Sequence, residues 1–381
     1  MRRRGSDAVP FSAIVGSLPH RVHIIGTGLI GTSVALVLAR RGVDLTLEDA
    51  SPTGAALAAD LSGGRVGGAV APELVVVATP PDVTAQVIAR ALREHPGAFV
   101  TDVASVKSVI RSELVGSEVA GLERYVGGHP MAGRERSGAI AARGDLFEGR
   151  PWVVTAGAET SRDGVALVKG VAEAAGSVVA VLSPEEHDEA VAAVSHVPQV
   201  AASLVAARLR DLPDSAVALS GQGVRDVTRI AASDPRLWTQ ILAGNAPAVA
   251  AVLRDVAADL ERVVVALESL GPEPTGEVVA PGARATLAGV IQEGNHGHER
   301  IPGKHGSAPM RYARVIVLIP DTPGQLGRLF NDVGQAGINL EELVLEHALG
   351  AQFGRLELSV MPGVAAELET VLTDRGWRLH S

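Results

Sequence analysis

The rhythm of apolar and polar positions changes three times along the chain. From Arg21 it is strand-like and helix-like by turns. "RVHII" (21–25) is a short apolar run rich in β-branched residues, "TSVALVLARRG" (32–42) keeps apolar residues on one helical face and stops at Gly42, and "DLTLED" (44–49) alternates. Together they make one βαβ unit. "ELVVVATP" and "AFVTDVAS" are further buried-strand runs around the helical "DVTAQVIARAL", and "PWVVTAG" and "GSVVAVLSP" continue the alternation. Continuous apolar strands alternating with helices predict an α/β domain over residues 21–183, a doubly wound parallel sheet.

From Pro184 to residue 271 the pattern is helical, Ala-rich and strand-free, which predicts an all-helical domain. So much Ala, Val and Leu on helical faces predicts burial against a second copy, hence a homodimer. Residues 272–311 turn to Gly, Pro and His and read as a linker with one short helix. From Tyr312 the order is β, α, β, β, α, β, a ferredoxin-like βαββαβ unit over residues 312–381. The first twenty residues are basic, with a short apolar run broken by Gly and Pro. They read as a disordered lead-in and not a signal peptide. No apolar run in the sequence approaches a membrane span.

Composition narrows the chemistry. Hydrophobic residues are 46 % of the 381 but aromatics only 3 %, so the cores must be Ala, Val and Leu. A net charge of −9 argues against a surface that reads nucleic-acid phosphates. With no cysteine, thiolate catalysis, disulfides and Cys-type zinc sites are excluded, and a cytoplasmic location fits. His296, His298 and His305 lie in the linker. They lack the fixed geometry that a metal site needs, and no metal is expected.

"GTGLIG" (26–31) follows a strand, opens a helix and precedes a second strand ending in acid. That context marks a Rossmann-type dinucleotide site. Gly26 permits the turn, Gly28 lets backbone approach a pyrophosphate and Gly31 lets helix meet strand; Leu29 and Ile30 open the helix against the cofactor. Asp49 at the end of the second strand would accept from ribose hydroxyls, which favours NAD over NADP; the alternative is a cap for the helix after Pro52. Thr79 and Pro80 end the strand along which a nicotinamide edge would pass.

Beyond the cofactor motif, "TDVASVKS" (101–108) and "GGHPMAGRERSG" (127–138) fall at strand ends, where open α/β sheets bind ligands. "SHVPQ" (195–199) and "GVRDVTRIAASDPRLW" (223–238) lie in the helical part. A neutral imidazole suits a base near pH 7, so His129 is the candidate base, against a turn histidine satisfied by backbone. Ser105 would hydrogen-bond the hydroxyl whose proton His129 takes, or the nicotinamide amide, or it is a helix cap, or both. Arg229 could grip a carboxylate in two parallel bonds, or pair with Asp226 on the surface. Ser195 and His196 precede the helix-kinking Pro198, with a buried, satisfied imidazole as the other reading of His196. Trp238 walls a pocket or packs a core, and Glu135 with Arg134 guards an entrance or is a solvated loop.

Taken in order, "DVASVK", "GGHPMAG", "SHVP" and "RDVTRIAASDP..W" resemble the prephenate/arogenate dehydrogenase family of tyrosine biosynthesis, over most of the chain. The resemblance implies NAD-dependent oxidative decarboxylation of prephenate to 4-hydroxyphenylpyruvate, or of arogenate to tyrosine. It also implies His129 as the base and Arg229 as the substrate clamp. Many prephenate-specific relatives carry histidine where this chain has Gln199, so Gln199 bears on substrate choice. The C-terminal "DTPGQLGRLFNDVGQAGINLEEL" resembles ACT domains, which implies an amino-acid effector such as tyrosine near Gly324, Gly337 and Asn339; a purely structural dimerisation module is the alternative. A β-hydroxyacid dehydrogenase would be expected to use a helical lysine where "SHVPQ" and "RDVTR" stand. A catalytically inactive amino-acid sensor would not need His129, Ser105 and Arg229 together.

Overall fold

The computed structural model describes residues 18–68, 71–133, 138–270, 282–302, 312–347 and 353–380. Glu135, Arg134 and His305 lie outside them. The chain divides into two units, Met1–Ala258 and Asp259–Ser381.

The first unit is built on eight strands: β1 (Arg21–Ile25), β2 (Asp44–Glu48), β3 (Arg65–Val66), β4 (Leu74–Val77), β5 (Phe99–Asp102), β6 (Tyr125–Pro130), β7 (Pro151–Thr155) and β8 (Val178–Leu182). They lie side by side in the order β3-β2-β1-β4-β5-β6-β7-β8. Five helices fill the crossovers: α1 (Leu29–Ala39), α2 (Pro52–Ser62), α3 (Pro81–Glu94), α4 (Ser108–Gly116) and α5 (Arg162–Ala174). The apolar strands alternate between two cores. Leu74 and Val76 face one with α1, α2 and α5; Val75 and Val77 face the other with α3 and α4. Both faces are covered, which is why β4 reads as an unbroken apolar run.

The parallel sheet expected from the sequence holds from β3 to β6. There it reverses: β6 and β7 pair antiparallel, and β8 follows β7 in parallel. A parallel return needs a crossover, usually helical. Among the described residues between β6 and β7 there is only the 3₁₀ turn Ala139–Ala141, so β7 comes back beside β6 in the opposite sense.

After β8, α6 (Pro184–Val191) is opened by a capping box between Ser183 and Glu186. A π-helical segment, Ala192–His196, joins it to α7 (Val197–Leu209). Pro198 has no N–H and crowds the carbonyl four residues back, and the wide turn lies just there. The run Pro184–Leu209 is 26 residues, long and apolar enough to cross a membrane by length and composition alone. This corrects the expectation that nothing approached that length. Its His187, Asp188, His196 and Gln199 are buried, as on the core helix of a folded domain. Shorter helices α8 (Asp214–Val217), α9 (Gln222–Thr228) and α10 (Pro235–Gly244) lead into α11 (Ala246–Glu268). Leu204, Leu219 and Val227 stay exposed, Leu219 by 85 %.

In the second unit, α12 (Ala283–His298) occupies the stretch that read as a linker with one short helix. Then come β9 (Ala313–Pro320), α13 (Gln325–Gln335), β10 (Glu342–His347), β11 (Phe353–Val360), α14 (Ala365–Asp374) and β12 (Arg378–His380). The sheet order β10-β11-β9-β12 is antiparallel and is that of a βαββαβ fold. Val315, Val317, Leu356 and Leu358 pack against Leu329, Leu368 and Leu372 of its helices.

The glycine loop after β1 shows which of its positions are structural. A Cβ on Gly31 would lie 2.0 Å from the Gly26 carbonyl oxygen, whereas one on Gly28 would meet nothing within 4 Å. Gly31→Ala should therefore destabilise the first unit by about 1–3 kcal/mol through overpacking. Gly28→Ala should leave the unfolding free energy within about 0.5 kcal/mol, as an open-surface change does. Urea unfolding followed by circular dichroism separates the two; equal shifts would contradict the packing.

Candidate functional site

The glycine loop sits between β1 and the first turn of α1. Gly26 has φ +99°, and Gly28 caps α1 in extended conformation with no side chain over the first-turn N–H groups. Those donors, with the open space at Gly28, suit an anionic group. Leu29 and Ile30 form the first turn and are half-buried. Asp49 accepts from the backbone N–H and hydroxyl of Thr27 at 2.6 and 2.9 Å, and from Ser51 N–H at 2.8 Å. It is not the cap of α2; Ser51 is, accepting from Gly54 N–H. Its neighbour Glu48 is tied to Arg90 and lies against His23. Asp49 is thus the acid held beside the glycine loop. Thr79 and Pro80 follow the end of β4, with the Thr79 and Thr84 hydroxyls 3.1 Å apart and Pro80 at the N-cap of α3.

His129 is the fifth residue of β6 and buried. The strand lies close against β5: a Cβ on Gly128 would come within 2.5 Å of the Asp102 carbonyl oxygen. Gly128 N–H donates to Asp102 Oδ1 at 3.1 Å, which fixes the backbone next to His129. The same buried carboxylate accepts from Tyr125 OH at 3.2 Å, from Ala104 N–H at 3.2 Å and from the Lys107 ammonium. Burial lowers the Lys107 pKa, against the pull of Asp102. For Tyr125, burial first and then Asp102 push the phenol up.

From His129 a chain of polar groups runs into the helical part. His129 Nδ1 lies 2.8 Å from His187 Nε2, and His187 Nδ1 lies 2.8 Å from Asp188 Oδ1. Asp188 also accepts from the backbone N–H groups of Lys107 and Ser108, at 2.9 and 2.8 Å. It therefore caps α4 from another helix. Burial alone would raise its carboxyl, but hydrogen bonds from His187, Ser108 and Lys107 hold it below the usual carboxylate range. With His187 neutral and its Nδ1–H given to Asp188, its Nε2 is an acceptor. The proton between the rings is then His129 Nδ1–H, and the lone pair of His129 is left on Nε2. Burial, reinforced by His187, Lys107 and His196, holds the His129 imidazole well below its ordinary pKa. It is a neutral ring with one basic nitrogen.

The chain continues. Asn245, buried at the corner between α10 and α11, donates to the Asp188 carbonyl at 2.7 Å and lies 3.2 Å from His196 Nδ1. Burial pushes His196 down to about 4, against the raising influence of Asp188. The Trp238 ring stands edge-on to His196, at 6.1 Å between centroids, and packs against the same core as Ile241. His129, His196 and Trp238 are thus joined through one network, with Ser195 beside His196 in the π segment. Ser105 lies in the loop from β5 to α4, three residues past Asp102 and two before Lys107. It does not cap α4, and its hydroxyl has no hydrogen-bond partner among the described residues.

Gln199 is buried on α7 and donates from Nε2 to Ser233 Oγ at 2.6 Å and to Ser203 Oγ at 3.4 Å. Ser233 Oγ donates to the Ile230 carbonyl at 2.8 Å, closing the 3₁₀ turn Arg229–Ala231. Arg229 is exposed. The surface pair with Asp226 does not form: Asp226 accepts from Gln222 instead, at 2.7 Å. His187, Asp188 and Asn245 were not singled out from the sequence. For His187 and Asp188 the sequence offered only an adjacent His-Asp pair among the glutamates of "PEEHDEAV".

In the second unit, a cleft of about 370 Å³ lies between the end of β9 and the start of α13, lined among others by Asp321, Thr322, Gly324, Leu326 and Leu345. Gly324, with φ +90°, belongs to it. Gly337 and Asn339 do not line it; Asn339 donates to Glu341 at 3.0 Å. Of the linker histidines, His296 and His298 lie in the last turn of α12, and no group of three metal-binding side chains occurs among the described residues.

Comparison with known proteins sets this arrangement in a family. Residues 34–181 match the prephenate dehydrogenase nucleotide-binding domain and residues 183–274 the prephenate dehydrogenase dimerization domain. NovF of Streptomyces niveus, described as a probable prephenate dehydrogenase, is 36% identical over 94% of this chain and 99% of its own. The prephenate dehydrogenase of Bacillus subtilis is 28% identical over 58% of this chain and 63% of its own. Among solved structures, prephenate dehydrogenase from A. aeolicus in complex with hydroxyphenyl propionate and NAD+ has a TM-score of 0.63 at 28% identity, covering 73% of this chain and 97% of that one. Arogenate dehydrogenase from Synechocystis has a TM-score of 0.61 at 25% identity, covering 74% and 99%. This chain belongs to the prephenate dehydrogenase family.

Proposed function

We propose that the protein is an NAD-dependent prephenate dehydrogenase that works as a homodimer in the cytoplasm, with arogenate as the alternative substrate. The observation that carries the reading is the His129–His187–Asp188 chain, which leaves one basic nitrogen on a buried neutral imidazole in the domain that holds the dinucleotide loop. The family's dimerization domain and the exposed apolar residues of the helical part support the homodimer.

The dinucleotide fits the residues present. The first-turn N–H groups of α1 and the space at Gly28 would take the pyrophosphate. Asp49 would take the adenosine ribose and repel a 2′-phosphate, which favours NAD over NADP. Thr79 and Pro80 would flank the nicotinamide. When bound, NAD+ accepts the hydride from C4 of the substrate ring.

The chain's own residues do the rest. His129 Nε2 accepts the proton of the C4 hydroxyl, and the oxygen's electrons form the carbonyl as the hydride departs. The C1–carboxylate bond then breaks, carbon dioxide leaves, and its electron pair makes the ring aromatic as the C4 carbonyl becomes a phenolate, which takes the proton back from His129. Ser105 holds the reacting hydroxyl in line. Arg229 grips a substrate carboxylate, Gln199 and Ser195 face the substrate side chain, and His196 and Trp238 wall the ring. Asp188 keeps the His187 tautomer that keeps the His129 lone pair on Nε2.

The βαββαβ unit and its cleft support an ACT-type regulatory role with tyrosine as effector. Gly324 offers backbone to the amino acid, and Leu326 and Leu345 offer apolar surface to its side chain.

NADH formation from prephenate and from arogenate, measured at 340 nm, tests the function; no signal with either sinks it. His129→Asn should keep NAD+ affinity and lose ~10²–10⁴ in kcat. Because the active form is neutral His129 and its pKa is depressed, kcat/KM should stay level through neutrality and fall only well below pH 6.5; an acid limb centred at or above 6.5 would contradict the burial. Asp188→Asn should lower kcat by up to ~10⁴-fold, as loss of a carboxylate that fixes a histidine tautomer does, with NAD+ affinity unchanged by fluorescence titration. Tyrosine should inhibit the wild-type chain, and Gly324→Val should abolish inhibition while leaving basal kcat intact. Equal inhibition of both would remove the cleft as the effector site.

A further inference from the structure

The hydrogen bonds around Gln199 bear on which substrate side chain the site accepts. The Gln199 amide has two N–H donors and one carbonyl acceptor. The Ser233 hydroxyl hydrogen goes to the Ile230 carbonyl, so Ser233 Oγ can only accept from Gln199. That settles which end of the amide faces Ser233. The second N–H is directed at Ser203 Oγ. Both donors are spent within the protein, and what Gln199 has left to offer a ligand is its carbonyl oxygen.

We propose that Ser233 is a specificity-determining residue. By holding the Gln199 amide with its N–H groups turned inward, it presents a bare acceptor to the substrate side chain, which raises acceptance of the ammonium of the alternative substrate, arogenate, relative to the keto acid of prephenate. The inference rests on the reading above, in which Gln199 faces that side chain. Ser233 is a positioning residue and acts through Gln199. It also ties α7 to the turn that carries Arg229, so acceptor and carboxylate clamp are set by one hydroxyl. An ammonium donating to a carbonyl makes a charge-assisted hydrogen bond, whereas a keto oxygen facing the same carbonyl makes none.

The test is the ratio of kcat/KM for arogenate to kcat/KM for prephenate, measured on the full-length enzyme at saturating NAD+. In Ser233→Ala the amide is free to turn over and present an N–H to the keto acid. The ratio should fall about ten-fold, the equivalent of one hydrogen bond, through KM rather than kcat. Ser233→Thr keeps the hydroxyl and should keep the wild-type ratio. Ser203→Ala, which removes the longer contact, should shift it in the same direction by less. A purely structural role for Ser233 would slow both substrates alike and leave the ratio in place. If Ser233→Ala turns over both substrates with an unmoved ratio, the inference falls and the function stands. If wild-type protein turns over neither, the function falls and takes the inference with it. Should Ser233→Ala not fold, the Ser203→Ala ratio decides, and no shift there overturns the proposal.

Discussion

The carboxylate of Asp188 is the constraint on which the site depends. It stands on α6 in the helical part, yet it closes the N-terminus of α4 in the nucleotide-binding part through the N–H groups of Lys107 and Ser108. Helix N-termini carry unsatisfied donors and positive potential, and one carboxylate answers both. Its remaining capacity orients His187, and His187 orients His129. The chemistry of the sheet is thus set by a residue from the helices packed on its end. A substitution at Asp188 affects three things together: the seam, the start of α4 and the tautomer of the base.

A second buried carboxylate, Asp102, fixes the backbone next to His129. An isolated buried carboxylate costs several kcal/mol. Asp102 avoids that by taking donors from Lys107, Tyr125, Ala104 and Gly128. The result is a rigid loop from β5 to α4. It carries Ser105 outward while both of its ends are held inward, at Asp102 and at Lys107. Preorganisation of this kind is what a proton acceptor needs, since its geometry must be right before the substrate arrives.

How much of this could be read from the sequence follows from the range of the interactions. Apart from the two-residue β3, which no pattern announced, the strands, the glycine loop and the position of His129 near a strand end are local patterns, and they stand where the sequence put them. The reversal at β7 was not legible, because whether residues 131–150 cross over or turn back depends on packing and not on period. His187 and Asp188 were missed for the same reason. Their partners are distant along the chain, 58 residues for His129 and 81 for Lys107, and nothing local distinguishes a buried His-Asp pair from an exposed one. A cap was one reading of Ser105, because serine before a helix often is one; the cap of α4 arrives instead from Asp188 on another helix. Gln199 was legible as a departure from the family pattern, but its orientation was not, since Ser233 and Ser203 reach it only through the fold.

The interposed histidine also explains how the base stays neutral. A carboxylate bonded directly to His129 would favour the imidazolium: at about 4 Å and an effective dielectric near 20, two unit charges attract by about 4 kcal/mol, roughly three pKa units. More of the ring would then be protonated near neutral pH, and less of it free to accept a proton. Here His187 stands between them. It passes on the orientation that Asp188 imposes, while the charge stays one ring further off. Asp188 pulls upward on His196, but the influences on His129 are burial, His187, Lys107 and His196, and all four act downward. Orientation and charge, which a direct His–Asp pair delivers together, are separated in this site. Only the orientation reaches the atom that takes the proton.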